Sequence, residues 1–148
     1  IGCNHTGIVV THVDKASKYL LAGLAKNKTM AEINRVTIKL FEPVKPAFRK
    51  TMTFDNGREF CGHKKLSERL EIKTFFANPY HSWERGLNEH TNGLIREFYP
   101  KSTNFKIVKE EDFQKAVDFI NHRPRKSLDY RTPYEVFFAS SDPVAFHP

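Results

Sequence analysis

Long apolar runs are missing from this chain of 148 residues, whose mean hydropathy is −0.55. A transmembrane helix, which needs about 20 consecutive apolar residues, is therefore excluded. Cysteine is nearly absent. The two present, Cys3 and Cys61, cannot build a disulfide framework and point to a reducing cytoplasm. Each opens a Cys-x-His pair (Cys3-Asn4-His5 and Cys61-Gly62-His63), but closed zinc sites use wider, repeated spacings, so zinc is not expected. The start, Ile1-Gly2-Cys3, has neither an initiator methionine nor a signal peptide, which predicts a fragment of a longer protein. Acidic residues are in deficit: 24 Lys and Arg against 17 Asp and Glu give a net charge of +7 and a pI of about 9.5. That excess suits a polyanionic partner such as DNA, although charge alone would equally suit an anionic membrane surface. Repeats, low-complexity tracts and interdomain linkers are also lacking. Residues 1–148 thus read as one domain, long enough to bury a sizeable core.

What is present is an alternation of strand-like and helix-like segments. Gly7 to Asp14 is rich in β-branched residues and reads as a strand. Ser17 to Leu24, after the short Lys15-Ala16 connection, reads as its antiparallel hairpin partner. From Lys28 to about Val44, Met30, Ile33, Val36 or Thr37, and Leu40 recur at helical spacing, with Thr29 as cap and Pro43 and Pro46 as terminators. Arg49 to Phe54 is a further strand, Phe60 to Leu70 a short helix carrying Leu66 and Leu70, and Glu71 to Phe76 another strand. Asn78-Pro79-Tyr80-His81 is a loop into a helix on which Trp83, Leu87, Leu94 and Phe98 share the apolar face. Glu110 to Asn121 is a helix with Phe113, Val117 and Ile120 inward, and Thr132-Pro133 supplies an N-cap and first-turn proline for a last helix through Phe138. This order predicts an α/β domain with a mixed sheet.

Two carboxylates stand out against that frame. Thr51-Met52-Thr53-Phe54-Asp55-Asn56-Gly57 alternates polar and apolar residues, reaches an Asp and breaks at an Asn-Gly turn. It reads as a buried strand delivering Asp55 at its carboxyl end. On the later helix, Arg85, Glu89, Asn92 and Arg96 line the polar face at i, i+4, i+7 and i+11. Carboxylates so placed can converge on a divalent metal, because hard oxygen ligands hold Mg²⁺ or Mn²⁺ in phosphodiester chemistry. Taken singly, each has a plainer reading: Asp55 as a turn residue and Glu89 as a solvated helix residue.

The flanking residues favour the metal reading. Thr53-Phe54-Asp55-Asn56-Gly57-Arg58-Glu59-Phe60, Phe76-Ala77-Asn78-Pro79-Tyr80-His81-Ser82-Trp83-Glu84-Arg85-Gly86 and Asn88-Glu89-His90-Thr91-Asn92-Gly93-Leu94-Ile95-Arg96 resemble the DDE catalytic core of insertion-sequence transposases. Within the retroviral-integrase superfamily the motifs are closest to the group usually called the IS-thirty family. Asp55 and Glu89 lie 34 positions apart, the separation that group carries. Asn121-His122-Arg123-Pro124-Arg125-Lys126 and Arg131-Thr132-Pro133-Tyr134-Glu135-Val136-Phe137 extend the similarity over most of the chain.

The resemblance implies an RNase H-like fold, a mixed sheet flanked by helices, and metal-dependent DNA strand cleavage and strand transfer at mobile-element ends. Asp55 and Glu89 would be catalytic metal ligands in a two-metal site. There the attacking water or 3′-hydroxyl is activated and the leaving 3′-oxygen stabilised, with no covalent protein–DNA intermediate. Family chemistry needs a further Asp, which in relatives lies on the strand before the hairpin, upstream of the position of Ile1; a fragment without it folds but is inactive. Asp14, at a strand end, is the substitute the sequence offers, but in the family that position belongs to the hairpin, and it reads instead as a turn residue accepting backbone hydrogen bonds. Arg85 and Arg96 are candidates for phosphate contact, Asn88 and Asn92 for orienting Glu89 or touching the DNA backbone, and His81 for substrate contact. Ion pairing of the arginines with Glu84 or Glu97, and satisfied surface roles for the others, are the rival readings. Trp83 reads as core, Tyr80 as a base-stacking alternative, and Lys64-Lys65 and Arg123 to Lys126 as basic clusters that track phosphates or simply face solvent. Expected partners are DNA, both mobile-element ends and target, and further copies of the chain, in the bacterial cytoplasm at the nucleoid and without a membrane. A metal-dependent RNase H-like nuclease and a non-catalytic DNA-binding relic of a transposase are the rival functions.

Overall fold

A computed structural model of the chain describes residues 7–54, 63–76 and 86–139. It opens with a hairpin of β1 (Ile8–Val13) and β2 (Leu20–Ala25), antiparallel, with Ile8 opposite Ala25 and Val13 opposite Leu20. The second strand starts later than the apolar pattern from Ser17 predicts, and the turn gives the reason. Asp14 Oδ2 accepts hydrogen bonds from the Ser17 amide (2.7 Å) and Ser17 Oγ (2.6 Å), and Lys18 adopts a left-handed φ of 62°. Residues 14–19 therefore reverse the chain, with Asp14 in the turn role expected of it.

Helix α1 (Met30–Phe41) is capped by Thr29, whose side chain accepts from the Glu32 amide, and it buries Ile33, Val36 and Thr37. It ends before Pro43, which cannot continue a helix. After a 3₁₀ turn at Pro46–Phe48 come β3 (Thr51–Phe54), α2 (His63–Leu70) and β4 (Lys73–Phe76). Strands β3 and β4 run parallel, Thr51 opposite Lys73 and Phe54 opposite Phe76. Both pairing modes of a mixed sheet are thus present, as two two-stranded ladders among the described residues. Helices α3 (Gly86–Phe98), α4 (Glu110–Asn121) and α5 (Pro133–Ala139) follow. A reciprocal cap starts α5: Thr132 Oγ1 accepts from the Glu135 amide, and Glu135 Oε2 accepts from the Thr132 amide. None of the described helices is long and apolar enough to cross a membrane.

The period-2 alternation of strands puts the hairpin between two helical layers. Val9, Leu20 and Ala22 pack with Leu94 and Ile95 of α3 and with Phe113, Val117 and Ile120 of α4. On the other face Val10 and Ala25 pack with Ile33 and Val36 of α1. A Cβ at Gly23 would stand 2.9 Å from Val36 Cγ1, so glycine there lets α1 lie close to β2. Met52, Phe54, Leu66, Leu70 and Ile72 form a third cluster around the parallel ladder, against Ile38 and Phe41.

A buried polar side chain fastens the start of β2 to the end of α4. Asn121, only 2% exposed, accepts from the Leu20 amide through Oδ1 at 2.8 Å and donates to the Leu20 carbonyl through Nδ2 at 2.9 Å. On the opposite face His12 Nε2 lies 3.1 Å from Thr37 Oγ1, with its ring edge-on to Phe41. Burial of that ring pushes its pKa down to about 4.

Replacing Asn121 by Leu strands two buried backbone groups, and each orphan costs about 1–3 kcal/mol. Urea unfolding of Asn121→Leu should show a stability loss of roughly 2–6 kcal/mol; an unchanged midpoint would refute the fastening role. His12 gives a pH signature. The unfolded chain takes up a proton below about 6.5 that the fold refuses until about 4, so His12's share of stability is intact above that window and lost as pH falls through it. Unfolding at about pH 7.5 and about pH 5 should differ by up to roughly 1.4 kcal/mol per unit crossed. His12→Gln should flatten the difference, and parallel profiles would contradict this.

Candidate functional site

Helix α3 carries the described part of the site, and its faces are unequal. Thr91, Leu94 and Ile95 are buried, and Thr91 Oγ1 donates to the Leu87 carbonyl at 2.8 Å. The sequence puts Phe98 on this inward face. Instead it is 41% exposed, and its ring meets Phe119 of α4 edge-to-face at 5.5 Å. Ile95 fills the core position.

On the stripe turned away from the core stand Glu89, Asn92 and Arg96, at i, i+3 and i+7. Glu89 is exposed in the first turn of α3, where the helix dipole favours an acidic group, and no hydrogen bond or ion pair engages it among the described residues. Asn92 is half-buried, and its Oδ1 is buried without a hydrogen-bond partner among the described residues. Arg96 is half-buried and forms no ion pair among the described residues. The Glu97 carboxylate, its rival partner, pairs with Arg123 at 3.0 Å. Asn88 is exposed beside Glu89. Asp55 directly follows β3, whose last residue, Phe54, is buried. Asp55 itself, His81, Arg85, Tyr80 and Trp83 lie outside the described residues, as do both cysteines.

Among the described residues no three His, Cys, Asp or Glu side chains converge. What the stripe offers is oxygen: the Glu89 carboxylate and, one turn on, the orphaned Asn92 amide oxygen. An all-oxygen donor set fits a hard cation such as Mg²⁺ or Mn²⁺ and not a thiophilic metal.

Reading the sequence missed a cleft on the opposite side of α3, of about 80 Å³, where Lys18, His90, Arg125 and Ser127 meet. Only the Arg123 to Lys126 run hinted at it. Lys18 and Arg125 are brought together by the Leu20–Asn121 fastening, which no local pattern announces.

Comparison with known proteins agrees with this architecture. No protein-family model matches the chain. It is 39% identical over 148 residues to the transposase for insertion sequence element IS4351 of Bacteroides fragilis, covering 99% of this chain and 45% of that protein. It is 32% identical over 128 residues to transposase InsI for insertion sequence element IS30A of Escherichia coli (strain K12), covering 86% of this chain and 33% of that protein. The chain therefore spans less than half the length of these relatives. In structure it is similar to the catalytic core domain of BIV integrase, with a TM-score of 0.70 at 19% identity over 90% of this chain and 87% of the other. A chain of the simian T-cell lymphotropic virus intasome complex gives a TM-score of 0.66 at 19% identity, over 96% of this chain and 55% of that one. The chain is thus similar, over part of their length, to the transposases of insertion sequence elements IS4351 and IS30A, and has the RNase H-like fold of a retroviral integrase catalytic core.

Proposed function

We propose that this chain is the catalytic domain of a DDE-type DNA transposase, carrying out metal-dependent strand cleavage and strand transfer at the ends of a mobile element. The observation that supports this best is the similarity to the IS4351 transposase over 99% of the chain. An exposed Glu89 without an internal partner is in keeping with it.

Asp55 and Glu89 are the proposed metal ligands. Bound Mg²⁺ or Mn²⁺ would supply polarisation of the scissile phosphate and activation of the attacking hydroxyl. Glu89 gives up no internal hydrogen bond or ion pair among the described residues on engaging a cation. Asn92 is proposed to hold the Glu89 carboxylate or the incoming strand in register by donating from its side-chain amide nitrogen. Arg96, one further turn along the same stripe, is suited to a phosphate of the bound strand, because a guanidinium matches phosphate oxygens in a fork. Asn88, Arg85 and His81 are proposed to contact the DNA backbone. The expected partners are mobile-element ends, target DNA and further copies of the chain, in the bacterial cytoplasm at the nucleoid.

The test is Mg²⁺- or Mn²⁺-dependent nicking and joining of labelled DNA, in protein that includes whatever its gene encodes upstream of Ile1. Asp55→Asn and Glu89→Gln should each abolish joining. Glu89→Gln should change metal-free stability by less than about 1 kcal/mol, since only an exposed helix-end charge is lost. Nicking without joining in the wild type would assign a nuclease instead. Full joining by either variant would remove that residue from the metal site.

A further inference from the structure

The cleft on the far side of α3 gathers positive charge without an acid to balance it. It is lined by Leu87, Leu94 and Ile120 and by the polar residues Lys18, His90, Thr91, Arg125 and Ser127, with the Lys18 ammonium donating to the Lys15 carbonyl at 2.6 Å. No carboxylate lines it among the described residues. Lys18 and Arg125 are half-buried and His90 is exposed, and positive charge gathered in this way attracts an anion.

The two permanent cations are held in place by backbone. Lys18 sits in the left-handed region, uncommon for a residue with a Cβ, and the turn that imposes this is tied at several points. Its amide donates to the Asp14 carbonyl, the Asp14 amide donates to the Tyr19 carbonyl, and Asp14 Oδ2 takes two bonds from Ser17. Arg125 is clamped in the same manner. Its amide donates to the Arg131 carbonyl, its carbonyl accepts from the Leu128 and Tyr130 amides, and one terminal nitrogen donates to the Ile120 carbonyl at the end of α4. The Arg125 Nε is left buried with no acceptor. Burial and the nearby Arg123 charge both depress Arg125's pKa, a sign of a guanidinium under-supplied with negative charge. The neighbouring carboxylate, Glu97, is already paired with Arg123 at 3.0 Å.

We propose that this cleft is a phosphate-binding site, separate from the Glu89 stripe, that takes a backbone phosphate of a DNA strand. Its capacity of about 80 Å³ exceeds the roughly 10–15 Å³ a single water requires. Lysine, arginine and a serine hydroxyl are the donors that phosphate oxygens take. Free phosphate offers the same chemistry. The DNA source rests on the transposase reading; the anion site does not.

Amide NMR of the whole chain, titrated with inorganic phosphate and then with a short DNA duplex, tests this. Phosphate should shift the amides of Lys18, His90 and Ser127 saturably, and added duplex should displace it. Lys18→Asn/Ser127→Ala, which keeps a residue tolerant of positive φ, should weaken phosphate binding about tenfold while the remaining spectrum reports an intact fold. Arg125→Gln serves as a second variant with the same expected loss. No saturable shift, or shifts indifferent to both variants, overturns the site even if DNA binds on the Glu89 side. Phosphate binding that duplex cannot displace, in a chain that does bind the duplex elsewhere, overturns the DNA source and assigns a free-anion site. Phosphate binding in a chain that binds no DNA anywhere would leave the cleft standing and count against the transposase reading alone.

Discussion

The bidentate bond between Asn121 and the backbone of Leu20 is the constraint on which the rest of the molecule depends. It joins residues 101 positions apart, at the point where β2 begins and α4 ends. Neither Leu20 group has water to turn to, so the Asn side chain is their substitute for a strand partner. With that joint made, Leu20 and Ala22 face Phe113, Val117 and Ile120, and the Gln114 side chain adds a second bond to the Ala22 carbonyl at 2.8 Å. Helix α3 then lies against β1 and α4 through Leu94 and Ile95. Glu89, on the stripe opposite these two, faces outward as a consequence of how deeply they are buried.

The same joint organises the C-terminal end of the described fold. Tyr19, next to Leu20, stacks on Phe137 of α5 at 4.4 Å, and Phe137 in turn stacks on Phe48 at 4.9 Å. His122, next to Asn121, stacks on Tyr134 at 4.6 Å. The aromatic contacts thus begin on both sides of the Asn121–Leu20 pair and hold α5 over the hairpin turn. That turn presents Lys18, and the segment between α4 and α5 presents Arg125, so one fastening sets the geometry on both sides of α3.

Much of this was legible in the sequence, and the exceptions have physical causes. Helix α4 runs from Glu110 to Asn121 as its spacing predicts, with Phe113, Val117 and Ile120 inward, because an amphipathic period of this length leaves one solution. Thr29 and Thr132 cap the helices they precede for the same local reason. The start of β2 was misplaced because Ser17 and Tyr19 look strand-like by composition, whereas the Asp14 carboxylate claims Ser17 for the turn. Phe98 differs because periodicity specifies a face of a helix but not how far the neighbouring elements cover it; its ring meets Phe119 and stays 41% exposed. Glu89, Asn92 and Arg96 were legible as a stripe, since helical spacing alone puts them together. The cleft was not, because Lys18, His90 and Arg125 come from three distant parts of the chain and meet only through tertiary contacts.

Helix α3 therefore separates two kinds of surface: an oxygen-bearing stripe around Glu89 and a cationic cleft behind it. The central claim is that Asp55 and Glu89 meet on one divalent cation, and Mn²⁺ tests it directly, because its unpaired electrons broaden NMR signals of nearby amides. Substoichiometric Mn²⁺ added to the full chain should erase the amide signals around Asp55 and around Glu89 and Asn92 together, and Mg²⁺ in excess should restore them. Broadening confined to one of the two segments, or retained in Glu89→Gln, would contradict a shared metal site.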